Sequence, residues 1–493
     1  MSESSTPVSE VPSSKRTGLP ATLDRYFKVS ERGSNFAREV RGGLATFFAM
    51  AYIVVLNPLI IGTAPDINGD TLGIPQVAAV TALVAAISSM LMGVISRYPF
   101  AIASGMGLNA IVAYVLAPMM TWSDVMGLVV IEGVIMLVLV LTGFRNAVFN
   151  AVPPSLKSAI AVGVGLFLAL IGFVNAGFVR PGSGTPVQLG VGGSLDGWPI
   201  LVFVLGLVAT IILMVRRVKG AVLIGIVFAT VLGIVIEAVA KVGPKTGADG
   251  EVNDLGWSLT VPEVPTSVGD LVSLPDLSLI GQFNLLADWR SLGVATVLML
   301  LLTLLLADFF DTMGTMVGVA SQAGLTDEEG NVPNTQGVLV ADAIGTIVGG
   351  AASASVATTY AESAAGVGEG ARTGVAPIVT GLMFLGALFI TPLAALVPFE
   401  AATPVLIVVG FMMMTQVTRV DFTDLGIGIP AFLAIVVMPY TYSIANGIGV
   451  AFIAYTVVRL AQGRWRDVHP LMLVVSVVFL IHFAEAPIQG LLG

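Results

Sequence analysis

The sequence predicts an all-α polytopic membrane protein, and three observations carry that expectation. Of 493 residues, 56% are hydrophobic and only 11% are Asp, Glu, Lys or Arg, against about 25% charged in an ordinary soluble domain. Mean hydropathy is +0.95. Apolar runs near the length that crosses ~30 Å of hydrocarbon recur through the chain. A water-soluble globule could not cover so much apolar surface with the polar residues that remain.

The predicted spans, numbered here as segments 1–14, are 43–62, 75–96, 107–120, 123–142, 155–176, 198–215 and 220–241, then 293–316, 336–351, 362–369, 374–397, 403–417, 425–442 and 446–462. Residues 1–21 are rich in Ser, Pro and Thr and predict a disordered tail. It is no signal peptide, because no apolar core follows Lys15-Arg16. Residues 22–41 alternate Leu23, Tyr26, Phe27 and Phe36 with basic side chains, as an interfacial amphipathic segment does. Residues 42–242 are read as a first seven-span repeat, 243–291 as an acidic extracellular loop, 292–463 as a second repeat, and 464–493 as a C-terminal segment. A fifteenth apolar run, 470–483, is left open between a span and an interfacial helix.

Basic residues fall on one side of this pattern. Arg25, Lys28, Arg32, Arg38 and Arg41 precede segment 1. Arg97, Arg145, Lys157, Arg216, Arg217, Lys219, Arg372 and Arg419 lie between even and odd segments, and Arg459, Arg464 and Arg466 come at or after the end of segment 14. The positive-inside rule then puts the N-terminus in the cytoplasm of a multi-pass cell-membrane protein.

Composition also excludes. Net charge is −9 with no basic run, so nucleic acid is not an expected partner. There is no Cys, and His469 and His482 are the two His. Disulfides, thiolate chemistry and a His/Cys metal site in the body of the chain drop out. No nucleophile–base pair or phosphate loop supports an enzyme or a cofactor. Ser104–Ala110 matches a loose dinucleotide pattern but lacks the surrounding βαβ unit.

The two halves match. Leu44-Ala45-Thr46-Phe47-Phe48 of segment 1 parallels Leu306-Ala307-Asp308-Phe309-Phe310 of segment 8. Val152-Pro153 with Gly165 parallels Val397-Pro398 with Gly410. Seven spans per half would invert the second half, which is a transporter signature. Helical patterning also breaks at corresponding places, Tyr98–Gly107 and Ala354–Glu362. Non-helical backbone at membrane depth persists only where protein buries it or water reaches it. The two breaks are therefore expected to pair as extended segments and to aim helix N-termini at a cavity.

Charges inside apolar runs are the strongest functional signal. Asp308 and Asp311 interrupt segment 8, and Glu362 opens segment 10. An Asp at membrane depth costs about 2.5–3.5 kcal/mol on insertion scales, so such residues face a cavity or the bundle interior. No Lys or Arg lies in segments 8–10 to neutralise them. One of the carboxyls is expected to exchange a proton near neutral pH and couple it to transport. Asn109 is expected in the same cavity as Glu362, with Phe309 and Phe310 able to flank a flat ring. Glu132 and Asp342 weigh between bracing and function.

At these residues the sequence resembles the nucleobase:cation symporter-2 family, in its AzgA-like adenine/guanine/hypoxanthine branch. The carrying text is LDRYFKVSERGS, REVRGGLATFFAMAYIVVLNP, ASGMGLNA, LLADFFDTMGTMVGVA, VATTYAESAAGVGEGARTG and MPYTYSIANGIGVAFIAY, spread over residues 22–475. The resemblance implies fourteen spans in two inverted repeats, with a core (segments 1–4 and 8–11) and a gate (5–7 and 12–14). Short antiparallel strands would lead segments 3 and 10. It implies a purine nucleobase substrate held by Asn109, Asp308 and Glu362, with backbone near Ala103, Gly105 and Thr359, and Asp311 tied to the proton. Related uracil and xanthine branches carry Glu in place of Asp311 and can carry His in place of Thr315. The resemblance also implies possible homodimers through the gate. The alternative is an anion (sulfate or bicarbonate) transporter of the same architecture, which three unneutralised carboxyls disfavour.

Overall fold

Helices occupy the predicted segments, and their lengths separate them into two kinds. A computed structural model describes residues 19–142, 152–182, 184–246, 252–265, 267, 269, 271–285, 293–326, 332–333 and 335–484. Residues 1–18 of the expected tail, Arg145, parts of the 243–291 loop and residues 485–493 lie outside the described residues, as do the side chains of Phe310 and His482. Among the described residues, nine helices are long and apolar enough to cross a membrane. They include Ile74–Ser96 (segment 2), Trp122–Leu141 (4), Pro154–Asn175 (5), Trp198–Val215 (6) and Ala221–Ala240 (7). Segment 8 is one helix, Val294–Gln322. Segments 9 and 13 are shorter, Thr335–Ala351 and Leu425–Tyr440. Segment 14 is Ile444–Ala461. Local sequence explains many of the starts. The side chains of Asn35, Thr121, Asp424 and Ser443 accept a backbone N–H of the first turn. Pro75, Pro154, Pro199 and Pro404 sit where a missing N–H is harmless.

Segments 3 and 10 are short helices, Met106–Met119 (α-helical to Ile111, then π and 3₁₀) and Ser363–Gly368, each led by a three-residue strand. The strands, Ile102–Ser104 and Ala357–Thr359, pair antiparallel with Ala103 opposite Thr358. Pro99 and the left-handed residues Arg97 (φ 60°) and Ser355 (φ 78°) turn the chain out of helix. All six strand residues are buried, so each outer edge needs a partner inside the protein. Hydroxyls supply them. Ser89 of segment 2 accepts from Ile102 N (3.0 Å) and donates to Ile102 O (2.9 Å). On the other edge Thr346 of segment 9 donates to Ala357 O at 3.0 Å, and Thr312 accepts from Thr359 N at 3.4 Å.

Around this crossing segment 2 packs on segment 11, segment 4 on segment 9, and segment 5 on segment 12. Gly165 and Gly410 meet where segments 5 and 12 cross. A Cβ on Gly165 would lie 2.7 Å from Gly410 O, and one on Gly410 would strike Gly165 O.

The 22–41 stretch is docked on helix ends. It begins as the helix Leu19–Phe27 and runs into segment 1 at Phe36. Tyr26 donates to Val94 O (2.9 Å), and Arg32 to Arg97 O (2.6 Å) and Arg372 O (3.0 Å). Fully buried Glu39 accepts from Arg372 N (2.8 Å) and Thr373 N (3.2 Å), just before segment 11. The fifteenth run is a helix, Pro470–Phe483, held beside segment 14 by Ser476 to Phe452 O (3.0 Å). At the opposite end, the loop before segment 8 is tied down by Gln76 to Asp276 and Asn284 to Asp124, both 3.0 Å.

Candidate functional site

A cavity of about 500 Å³ opens against the strand crossing, within the range of small-molecule sites. One wall is Gly105–Leu108 and Ile111 of segment 3, Ala307, Asp311, Met313 and Thr315 of segment 8, and Thr358–Glu362. The facing wall comes from segments 5 and 12, mostly apolar, with Ser158 and Gln416. Lys157 and Arg419 stand on that facing wall. Much of the lining is apolar; the carboxyls lie on the wall of the strand ends, and the cations on the facing wall. That distribution suits a small ligand with a hydrogen-bonding edge.

Glu362 is half-buried at the start of segment 10, and Tyr52 donates to its carboxyl. Tyr52 sits at the break of segment 1, between Phe36–Met50 and Ile53–Ile61. Asp311 is also half-buried in the wall, with Thr358 donating to it at 3.4 Å. Gly105 closes the strand end, where a Cβ would come 2.9 Å from Thr358 Oγ1. That close approach explains a residue without a side chain there. Thr359 lines the cavity while its hydroxyl turns back to Asp342 at 3.1 Å.

The structure thus brings Gly105, Thr359, Glu362 and Asp311 together around one cavity. Asn109, Asp308 and Ala103 lie behind it. Each is fully buried, and none lines the cavity. Ala103 is occupied by strand pairing. The Asn109 amide has no hydrogen-bond partner, and Asp308 receives Thr346 at 3.4 Å. Asp308 and Asp311, three apart, are about 60° apart around a helix. That offset is enough for one to face the cavity and the other segments 4 and 9. Sequence reasoning misses Tyr52, whose only signal is a hydroxyl-bearing aromatic in an apolar run. It also counts Lys157 and Arg419 as topological charges alone.

These features are those of a multi-pass membrane protein with a central cavity of small-molecule size. The Permease family model (Xan_ur_permease) matches residues 37–450. The chain is 37% identical to the guanine/hypoxanthine permease PbuG of Bacillus subtilis, over 94% of this chain and 99% of that protein. It is 36% identical to the adenine permease AdeP of Escherichia coli, over 94% and 97%. The chain belongs to this permease family, the nucleobase:cation symporter-2 family, and is a transporter, not an enzyme. The transmembrane domain of the cyanobacterial bicarbonate transporter BicA shares its fold, with a TM-score of 0.55, 15% identity, and 86% and 97% coverage. So does murine Slc26a9 in the inward-facing state, with a TM-score of 0.56, 13% identity, and 92% and 74% coverage.

Proposed function

We propose that the protein imports purine nucleobases (adenine, guanine or hypoxanthine) across the cell membrane by proton symport. The observation that carries this reading is the pair of cavity-facing carboxyls, Glu362 and Asp311, set beside the strand ends at Gly105 and Thr358–Tyr360. Purine bases are flat and neutral, with adjacent N–H and ring-nitrogen groups. A carboxylate that accepts a ring N–H rejects rings lacking that donor, because its own oxygen is then left unpaired. Glu362, fixed by Tyr52, holds the purine edge, while Gly105 and Thr359 frame it. Asp308, Asn109 and Ala103 support that wall from behind in this conformation. Asp311 carries the proton. The names of the relatives PbuG and AdeP support the substrate class.

The architecture in this reading is fourteen spans in two inverted repeats, with residues 42–242 and 292–463 as the repeats and the 243–291 loop outside. Segments 1–4 and 8–11 form the core; 5–7 and 12–14 form the gate. The paired strands support it, and so do the reciprocal pairings of segments 2 with 11 and 4 with 9. Under the same shift of seven, Ser89 corresponds to Thr346 and Gly165 to Gly410. With the N-terminus inside, the Lys157–Arg419 end of the cavity is cytoplasmic, and the loop bonds at Gln76 and Asn284 close the outer face. The conformation is then inward-facing. Alternating access moves core against gate, with rupture of the Lys219–Glu369 pair between them. The exposed apolar faces of segments 6 and 7 are available to lipid or to a second copy.

The test is uptake of radiolabelled hypoxanthine into cells lacking their own purine permeases, with and without protonophore. Uptake that collapses with protonophore, and that adenine or guanine blocks while uracil does not, is the expected result. Lys157 and Arg419 favour a second reading, an anion carrier. Sulfate-stimulated flux with no purine uptake would establish that reading instead.

A further inference from the structure

Behind the strand crossing lies a second group of carboxyls that purine binding does not use. Glu132, in the middle of segment 4, is fully buried, and neither of its oxygens has a hydrogen-bond partner. It faces Asp308 of segment 8 and Asp342 of segment 9. Asp308 is equally buried, with Oδ1 unpartnered and Thr346 at 3.4 Å from Oδ2. Asp342 is better served, by Thr312 at 2.8 Å and Thr359 at 3.1 Å. Segments 8 and 9 are the helices packed on segment 4. Their titratable groups are Asp308, Asp311 and Asp342, and neither carries Lys or Arg. Asp124, at the far end of segment 4, is bound to Thr121 and Asn284.

Unpaired carboxylates buried in such a place are costly singly, and repulsion adds to the cost when they are neighbours. A proton held between Glu132 and Asp308 lessens both penalties, since it removes one of the two charges and the protonated acid becomes the donor that the other lacks. This pair is also connected to the cavity. The Thr346 hydroxyl has one hydrogen and two acceptors in reach, Ala357 O at 3.0 Å and Asp308 Oδ2 at 3.4 Å. Ala357 begins the strand whose next two residues line the cavity and donate to Asp311 and Asp342. Ligand loading in front and proton occupancy behind therefore act on the same three-residue strand.

We propose that Glu132 and Asp308 form a second proton-binding site of the transport cycle, distinct from Asp311, filled and emptied as the Ala357–Thr359 strand shifts. The proposal rests on the purine–proton symport reading above. It is tested with purified protein in liposomes, comparing the wild type with Glu132→Gln and the apolar Glu132→Met. Hypoxanthine counterflow at equal pH reports binding and movement without net proton transfer. An entrapped pH dye reports protons carried per hypoxanthine. The expected result is counterflow close to wild type, fewer protons per hypoxanthine and a flattened pH profile of net uptake in whichever variant inserts. An unchanged proton ratio and pH profile with intact counterflow overturns the proposal. So does loss of counterflow in both variants while protein is present in the membrane, which assigns Glu132 a structural role. Wild-type counterflow with no proton movement at all overturns the symport reading itself, a failure distinct from the other two.

Discussion

Two sets of carboxyls sit on opposite faces of the same strand. Asp311 and Glu362 face the cavity, half-buried, each receiving one hydroxyl from a neighbouring side chain. Asp308, Asp342 and Glu132 lie on the far side, fully buried, with partners ranging from two hydroxyls to none. The residue types are the same and the separation is a single strand. Access and partners divide them. The front set can exchange protons with water and N–H groups with a ligand, whereas the back set can answer only to its neighbours and to the strand. An acid at membrane depth is a functional candidate by default, but its role follows from which side of this divide it occupies.

The comparison breaks most sharply at Glu362. Glu362→Gln keeps the shape and removes the charge that strengthens each ligand bond. Hydrogen bonds to charged groups contribute about 1.5–3 kcal/mol, so losing one lowers uptake by about 10- to 100-fold at limiting substrate. Normal surface expression with uptake indistinguishable from empty cells is the expected outcome. Uptake within a few-fold of wild type would remove Glu362 from the site. Asp311→Asn should act differently. Hypoxanthine exchange persists, but the gain in uptake on acidifying the outside medium disappears. An unchanged response to acid would move the proton elsewhere.

Thr359→Val tests the strand that joins the two sets. Valine fills the same volume and leaves Asp342 Oδ1 without its 3.1 Å donor. An acceptor orphaned in this way costs about 1–3 kcal/mol. The melting temperature in detergent should fall while the KM for hypoxanthine changes little. A large rise in KM with an unchanged melting temperature would instead make the Thr359 hydroxyl a ligand contact.

The elements around this divide were legible in the sequence, though the divide itself was not. Composition and run length locate the apolar segments, because burial in lipid demands long apolar runs. The breaks at 98–107 and 354–362 announce the strands, because small, hydroxylated and Pro-containing text cannot continue a helix there. Glu362 and Asp311 stand out as charges in segments that hold no Lys or Arg. What the sequence could not supply is direction around a helix axis when segments 3, 8 and 9 are packed on every side. Asp308 and Asn109 read as cavity residues because nothing in a uniformly apolar helix marks which stripe faces water. Tyr52 was illegible for a related reason. Its role depends on a contact 310 residues away, made possible by the break between the two helices of segment 1. Ser89 and Thr346 likewise look like ordinary small residues until the strand edges they satisfy are known.

The smallest expected effect lies well away from the crossing and serves as its control. Asp424 caps segment 13, accepting from Gly426 N at 2.9 Å, and pairs with Arg459 of segment 14 at 2.8 Å. The hydrogen bond from Arg459, then that from Gly426, holds its carboxyl below the ordinary carboxylate range. A carboxyl with a depressed folded value binds its proton less readily folded than unfolded. Its contribution to stability is therefore fully present above the unfolded value of ~3.9 and is lost as pH falls through the lower folded one. Asp424 is partly solvated, and screening keeps the pair weak. Asp424→Ala should lower the melting temperature slightly at neutral pH, with the difference from wild type vanishing in strong acid and shrinking in high salt. Hypoxanthine uptake and its response to pH should be unchanged. A variant this far from the strands that altered the acid response would mean that protonation is distributed across the bundle, and the division between the front and back carboxyls would not hold.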